Sequence, residues 1–350
     1  MPPTSKRNPE PGASLVPVSD APLPASTVRA DHYARASRAD RTWQQYRSAF
    51  RQFSTWCAER GHSPMPAAMG TVREYVAWLA DEGRTLSTIT AYLAAIASAH
   101  SIAKHPFDRS ALKDDLKGIR RVHARKPRQA FALVGIAKDP RGLDLRGILS
   151  GLGSSAIDAR DRLLLALGFA AALRRSELVG LDWKRQGTGD GYLTQDHRGI
   201  VITLLSTKGG KGEPVEVIVP CADMPTACDA LDEWAAIAKL EPGQPVFREV
   251  VKGGHIGAGR LSDRSVARII KRRVRARALE LGRSEADADE LAAICSGHSL
   301  RAGFCTAAAI AGKPEWKIRR RSRHKTAELV ARYVRTAEEW TDSGLKGVGF

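Results

Sequence analysis

The chain has 350 residues, of which 43% are hydrophobic and 27% charged, and 55 Lys and Arg against 38 Asp and Glu give it a formal net charge of +17 at pH 7. This length allows two domains with cores of their own, and the composition excludes a disordered or membrane-embedded chain. So large a basic excess points to a polyanionic partner, most often nucleic acid; a basic surface kept for solubility would leave the clustering of the charge unexplained. No apolar run approaches the ~20 residues needed to cross a bilayer, and the N-terminus lacks the apolar core of a signal peptide, so an intracellular protein is expected. The five cysteines, Cys57, Cys221, Cys228, Cys295 and Cys305, form no C-x-x-C pair and no metal spacing. They read as buried free thiols in a reducing compartment.

In chain order, residues 1–38 are rich in Pro, Ser, Ala and charge and read as a disordered tail. From Arg41 the pattern turns helical: Trp43, Tyr46, Phe50, Phe53 and Cys57 recur at three- and four-residue steps and share a face. Gly61 and Pro64 end that helix; Val72, Tyr75, Val76 and Leu79 mark a second, closed by Gly83. "TLSTITAYLAAIASAHSI" predicts a third, with Thr or Ser placed to cap it, and "SALKDDLKGIRRV" a fourth. Together they make a helical domain over 40–124. The basic stretch broken by Pro127 reads as a linker over 125–132, and 133–350 as a second domain.

In that second domain "AIDARDRLLLALGFAAALRRSELVGL" predicts a core-buried helix ending in a charged turn at Arg174 and Arg175. "RGIVITLLSTKGGKGEPVEVIVP" predicts a β-hairpin, and "LSDRSVARIIKRRVRARALELG" a strongly basic amphipathic helix. Helices follow at "CSGHSLRAGFCTAAAIAG", "PEWKIRRRSRH" and "TAELVARYVR". The expected fold class is therefore mainly α with a small β element (α+β). Neither a GxGxxG nor a phosphate-binding loop of the GxxxxGK type is present.

The polar residues that are costly to bury form an unusual set. Arg174 follows the most apolar helix, Lys208 stands at the hairpin tip, His298 and Arg301 open a small-residue helix, and His324 and Tyr333 follow. The carboxylate among them is Glu177, three residues after Arg174 and able to orient it. There is no carboxylate pair for general acid–base work and no carboxylate cage for a metal. A phosphodiester attacked by a tyrosine suits the set: arginines hold the nonbridging oxygens as their charge grows, and a phenol with a reference pKa of ~10 needs a base or nearby cations. The departing 5′ oxygen takes a proton from a lysine or histidine. No cofactor is required.

"ALRRSEL", "TKGG", "HSLR", "RH" and "Y", in this order, resemble the tyrosine recombinase (phage integrase) family, with the nearer likeness to its Cre-type members in "SGHSLRAG" and "RYVR". The resemblance implies an N-terminal core-binding domain and a C-terminal catalytic domain. Arg174 and Arg301 would clamp the scissile phosphate, and His298 and His324 would bind it and assist proton transfer. Lys208 would protonate the leaving oxygen, Tyr333 would form a 3′-phosphotyrosyl link, and Glu177 would buttress the site. It also implies double-stranded DNA held between two domains, a tetramer on two sites, no metal, and a cytoplasmic, nucleoid-associated location. Two positions depart from the pattern: Arg323 stands where a small residue, often glycine, precedes the second histidine, and Arg175 stands where an aliphatic follows the first arginine.

Taken singly, each residue has a plainer explanation: Tyr333 as a packing aromatic, His324 as a capping histidine, His298 and Arg301 as a helix pair, Lys208 as a turn lysine. Those explanations predict no common order. Arg264, Lys271 and Arg272 on the basic helix, with Arg47 and Thr88 in the first domain, are the candidate DNA contacts. For Arg264 a bidentate hold on a guanine edge and a backbone contact are equally open. A type IB topoisomerase-like enzyme and a non-catalytic sequence-specific DNA-binding protein of the same fold are the alternatives.

Overall fold

The structure is a computed structural model and describes residues 40–123, 131–134, 143–205, 213–251 and 253–338. The tail over 1–38, most of the linker over 125–132, and Lys208 lie outside those residues. The chain divides into two compact units, Met1–Pro127 and Arg128–Phe350.

The first unit is helical. Helices α1 (Asp40–Glu59), α2 (Met69–Asp81), α3 (Leu86–Ile102) and α4 (Lys113–Val122) fall where the apolar recurrence predicts them, with a 3-10 turn at Arg109–Leu112 before α4. The predicted face of α1 supplies Phe53 and Cys57, joined by Trp56, to a core completed by Tyr75, Leu79, Ile89 and Ile96. Each such large apolar side chain contributes about 1.5–3 kcal/mol when fully buried. Thr85 caps α3 by accepting from the Thr88 N–H at 3.3 Å. His100 is buried and satisfied on both nitrogens, by Ala67 N–H and the Ile96 carbonyl, each at 2.9 Å.

The second unit begins, among described residues, with an extended segment at 131–134 and then α5 (Leu145–Ser150), α6 (Ala156–Ala170) and α7 (Arg175–Val179). Strands β1 (Leu181–Trp183), β2 (Gly191–Asp196), β3 (Gly199–Leu204) and β4 (Val215–Pro220) form one sheet in that order, parallel between β1 and β2 and antiparallel elsewhere. The predicted hairpin is β3 with β4, in register from Gly199 opposite Pro220 to Leu204 opposite Val215. Helix α8 (Pro225–Ala238) and a two-stranded sheet of β5 (Arg248–Val250) and β6 (Ile256–Arg260) come next. Then follow α9 (Asp263–Glu280), α10 (Glu285–Ile294), α11 (Ser299–Ile310), α12 (Glu315–Ser322) and α13 (Ala327–Glu338). Among the described residues no helix is long and apolar enough to cross a membrane.

The sequence expectations need two corrections. Cys221 and Cys228 are joined in a disulfide across the start of α8, so Cys57, Cys295 and Cys305 remain as buried cysteines outside a disulfide. The buried helix does not run on to Arg174. α6 stops at Ala170, where Ala172 takes a left-handed conformation (φ +47°). The Leu173 N–H reaches back to the Gly168 carbonyl at 3.1 Å and the Ala172 N–H to Phe169 at 3.0 Å, a Schellman ending. Glycine is usual at that position, and a left-handed alanine costs roughly 1–2 kcal/mol.

The segment 131–134 is bonded to the later helices: the Phe131 N–H donates to Ile294 and the Leu133 N–H to Ser299, at 3.3 and 3.2 Å. The approach to α11 is so close that a Cβ on Gly303 would lie 1.9 Å from the Leu133 carbonyl oxygen. The glycine of "HSLRAG" is there for packing.

Candidate active site

Four chain segments converge on one cluster. The turn after α6 brings Arg174, which sits at the N-terminus of α7, and the first turn of α7 brings Glu177. α11 starts at His298 and carries Arg301 one turn in. The end of α12 brings Arg323 and His324, and α13 brings Tyr333. The spacing reading that Glu177 orients Arg174 holds. Its Oε2 accepts the Arg174 backbone N–H at 2.8 Å and its Oε1 pairs with Arg174 Nη1.

Arg301 is 1% exposed, and its Nη1 donates to the Ala172 carbonyl at 2.9 Å. The strained turn thus holds a catalytic candidate from behind. Nε and Nη2 of Arg301 have no hydrogen-bond partner among the described residues. A guanidinium so buried is held at a cost unless an anion completes it. Burial, then the charges of Arg174 and Arg323, push the Arg301 pKa down to about 10.

Both histidines are kept neutral. Desolvation by the surrounding protein, then Arg301 and Arg174, push His298 down to about 4, although its outer edge meets solvent. Desolvation, followed by Arg301, His298, Arg174 and Arg323, does the same to His324. Ser322 spends its proton on the Ile318 carbonyl at 2.7 Å, so its oxygen accepts from His324 Nδ1–H at 2.7 Å. That tautomer leaves Nε2 of His324 as an acceptor. Tyr333, 8% exposed, packs with Ala302, Cys305, Ile318 and Val330, its ring 5.9 Å from that of His324. Its hydroxyl lies 3.4 Å from His298 Nε2.

The structure therefore brings together Arg174, Glu177, His298, Arg301, His324 and Tyr333. It adds Arg323, which sequence reasoning set aside as a departure. Its guanidinium, 9% exposed, pairs with Glu177 Oε2 at 2.7 Å. The available signal was its place at a helix end, where a left-handed residue was needed: φ is +56°. Arg175 points elsewhere, pairing with Asp263 at 3.3 Å and lying against Gly297. For Glu177, burial acts to raise the pKa, but the charges of Arg323 and Arg174 outweigh it and hold the carboxyl below its ordinary value.

The candidate DNA contacts are placed unevenly. Arg264 is exposed in the first turn of α9 and Arg47 on α1. Thr88 uses its hydroxyl within the α3 cap, 2.9 Å from that of Thr85. Lys271 reaches the Ala293 carbonyl at 3.5 Å. Arg272 is drawn inward to the buried Asp161 at 2.6 Å, with half its side chain still exposed. Among the described residues no group of three His, Cys, Asp or Glu side chains is arranged to hold a metal ion.

Residues 143–339, more than half the chain and including every described member of the cluster, match the Phage integrase family. The chain belongs to that family. It is a tyrosine-type site-specific recombinase, an enzyme that breaks and rejoins DNA. An integrase/recombinase XerD homologue of Selenomonas ruminantium is 29% identical over 324 residues, covering 91% of this chain and 88% of the relative. Recombinase Cre of Escherichia phage P1 is 23% identical over 322 residues and 89% of each chain. Two solved structures share the fold. One is the XerH site-specific recombinase bound to palindromic difH substrate, at 17% identity, a TM-score of 0.50 and coverage of 78% of this chain and 72% of that one. The other is the Tn1549 transposon integrase in complex with transposon right end DNA, at 13% identity, a TM-score of 0.52 and coverage of 92% and 98%. The family's expected mainly helical fold with small sheets is the one observed.

Proposed function

We propose that this cluster transfers a DNA phosphodiester to Tyr333, leaving a 3′-phosphotyrosyl link and a free 5′ hydroxyl. The supporting observation is the charge pattern: three guanidinium groups and two neutral imidazoles around a single carboxylate, beside a tyrosine hydroxyl 3.4 Å from an imidazole nitrogen. Arg174 and Arg301 take the nonbridging oxygens, with donors of Arg301 already desolvated. His298 Nε2 accepts the phenol proton as the Tyr333 oxygen attacks phosphorus; apo hydrogen bonds of this kind are commonly long and tighten on substrate. The P–O5′ bond breaks, and Lys208 gives its proton to the departing oxygen. His324, protonated at Nε2 when the phosphate is bound, donates that N–H to the phosphoryl oxygens as the charge develops. Attack by a second 5′ hydroxyl reverses the sequence and releases Tyr333. The bond energy stays in the phosphotyrosine, so the reading includes no ATP and no metal.

In this reading the enzyme acts in the cytoplasm, at the nucleoid, on double-stranded DNA bearing a specific site. As in a Cre-like system, four protomers assemble on two sites, with the residues after Tyr333 as the segment exchanged between neighbours. Arg264, Arg47, Thr88, Lys271 and the exposed half of Arg272 supply DNA contacts. Affinity is largely electrostatic and falls steeply with salt.

The test is a covalent trap: purified protein without metal, labelled duplexes from the regions flanking its own gene, and denaturing electrophoresis beside Tyr333→Phe. A slow protein–DNA band in wild type alone establishes the nucleophile. Specific binding by both proteins with no band from either would overturn the reading.

A further inference from the structure

Arg323 is set deep in the cluster, its side chain 9% exposed. It occupies a left-handed backbone position (φ +56°, ψ +39°) at the end of α12, a conformation that glycine takes freely and an arginine does not. Both terminal nitrogens of its guanidinium are nonetheless engaged, while Nε has no hydrogen-bond partner among the described residues. Nη2 pairs with Glu177 Oε2 at 2.7 Å and reaches the Ala172 carbonyl at 3.2 Å. Nη1 donates to the carbonyls of Ala171 at 3.2 Å and Arg321 at 2.8 Å. Its own carbonyl accepts from Arg174 Nη2 at 3.4 Å. A residue kept in a strained conformation by so many bonds is over-determined by its surroundings, the condition under which strain persists at functional sites.

Those bonds tie the end of α12 to the 171–172 turn and to the start of α7. Glu177 is shared between Arg174 and Arg323. The Ala172 carbonyl is shared between Arg301 and Arg323. The next residue along the chain is His324, whose ring is pinned through Ser322. Both terminal nitrogens of the Arg323 guanidinium are occupied by protein acceptors, whereas Arg301 keeps Nη2 and Nε without a partner among the described residues.

We propose that Arg323 is a positioning residue for cleavage: its guanidinium ties the turn that carries His324 to Glu177 and to the 171–172 turn, fixing His324 and Arg174 relative to one another. The inference rests on the reading of the cluster as the phosphoryl-transfer site. Arg323→Gly is a suitable probe because it relieves the backbone as it removes the strut, and the thermal midpoint reports whether the fold is kept. Arg323→Lys keeps the charge and loses the fork.

Three readouts on the full chain separate the outcomes: the thermal midpoint, the rate of covalent cleavage of labelled duplex from the flanks of its own gene with binding measured in parallel, and the His324 Nδ1–H signal in the NMR spectrum of the free protein, assigned with His324→Asn. The expected result is that Arg323→Gly keeps or raises the thermal midpoint and binds DNA as wild type does. It cleaves roughly tenfold to a hundredfold more slowly, and the Nδ1–H signal is broadened or lost. Arg323→Lys falls between the two proteins. In a Glu177→Gln background, Arg323→Gly adds little further loss, because both act through the same link. Cleavage within about twofold of wild type, with an unchanged Nδ1–H signal, would overturn the inference. So would a loss of DNA binding in proportion to the loss of cleavage, which would make Arg323 a contact. If wild type forms no covalent product while the Nδ1–H signal still depends on Arg323, the chemistry assigned to the cluster fails and the positioning stands.

Discussion

Two buried charge clusters in the second unit are built from nearly the same parts and end up opposite in character. In the first, Asp161 on α6, fully buried, accepts from Arg160 of its own helix and from Arg272 and Arg273 of α9, at 2.6–3.0 Å. Asp158 adds a second carboxylate, 2.7 Å from Arg273. In the other, Glu177 faces Arg174 and Arg323, and Arg301 stands beside them with no carboxylate of its own. The first cluster spends both oxygens of its carboxylate on protein and fastens the basic helix to the core. The second is short of negative charge among the described residues, a shortage that a phosphate fills in the proposed reading. A buried arginine is thus neither structural nor catalytic by type. What decides is whether the protein completes its partners or leaves them to the substrate.

The contrast is sharpest where one charge is removed from each cluster. Asp161→Asn removes the carboxylate that Arg160 and Arg272 share and leaves Arg273 with Asp158 alone, and breaking such a buried group costs about 3–5 kcal/mol. A fall of that order in unfolding free energy is expected from denaturant titration, with the folded fraction still competent to cleave. Arg301→Lys loses the fork that is still waiting for a phosphate. Its expected cost is roughly 10²–10³ in covalent cleavage, with thermal stability little changed, because the unbound protein gains little from a guanidinium that lacks an anion. If Arg301→Lys instead unfolds the protein while Asp161→Asn leaves stability intact, the two clusters have been assigned the wrong way round.

A smaller effect tests the packing that frames the second cluster. Gly303→Ala sets a methyl group 1.9 Å from the Leu133 carbonyl oxygen, so either the 131–134 segment or α11 must move. Overpacking of this kind costs typically 1–3 kcal/mol, read as a lower thermal midpoint. Gly259→Ala, on a position with open space around it, is the matched control and leaves the midpoint in place.

The same contrast explains what could be read from the sequence. The α1 to α4 helices were legible because their apolar residues recur at the helical period, and Glu177 was legible because i and i+3 meet on one turn. The order of Arg174, His298, Arg301, His324 and Tyr333 carried the site, since unrelated surface residues have no reason to follow it. Asp161 was hidden inside the most apolar helix, where a charge finds its partners on a helix more than a hundred residues later. Arg272 belongs to the same pair, so it read as a free DNA contact. Arg323 read as an exception because the need for a left-handed backbone cannot be seen in the residue that meets it. β1, only three residues long, is too short for an alternation to register, β2 (Gly191–Asp196) and β5–β6 went equally unread, and the Cys221–Cys228 pairing depends on a turn rather than on a motif.

The smallest effect separates the clusters by pH, because His298 and His324 belong to the second. His298 and His324 have folded pKa values near 4, below the ordinary value of about 6.5. The unfolded chain therefore binds more protons between pH 6.5 and 4. The contribution of these groups to stability is complete above pH 6.5 and is lost as pH falls toward 4. A bound phosphodiester reverses the sign at His324: its charge favours the imidazolium form there, so DNA binding takes up a proton and strengthens as pH falls. Thermal midpoint and DNA affinity should thus move in opposite directions between pH 7.5 and 5.5. His324→Asn should flatten both trends, and Arg272→Gln, at the other cluster, should leave their slopes alone. Parallel slopes in wild type would mean that the imidazoles do not face the phosphate, and the cluster would then be as closed as the one around Asp161.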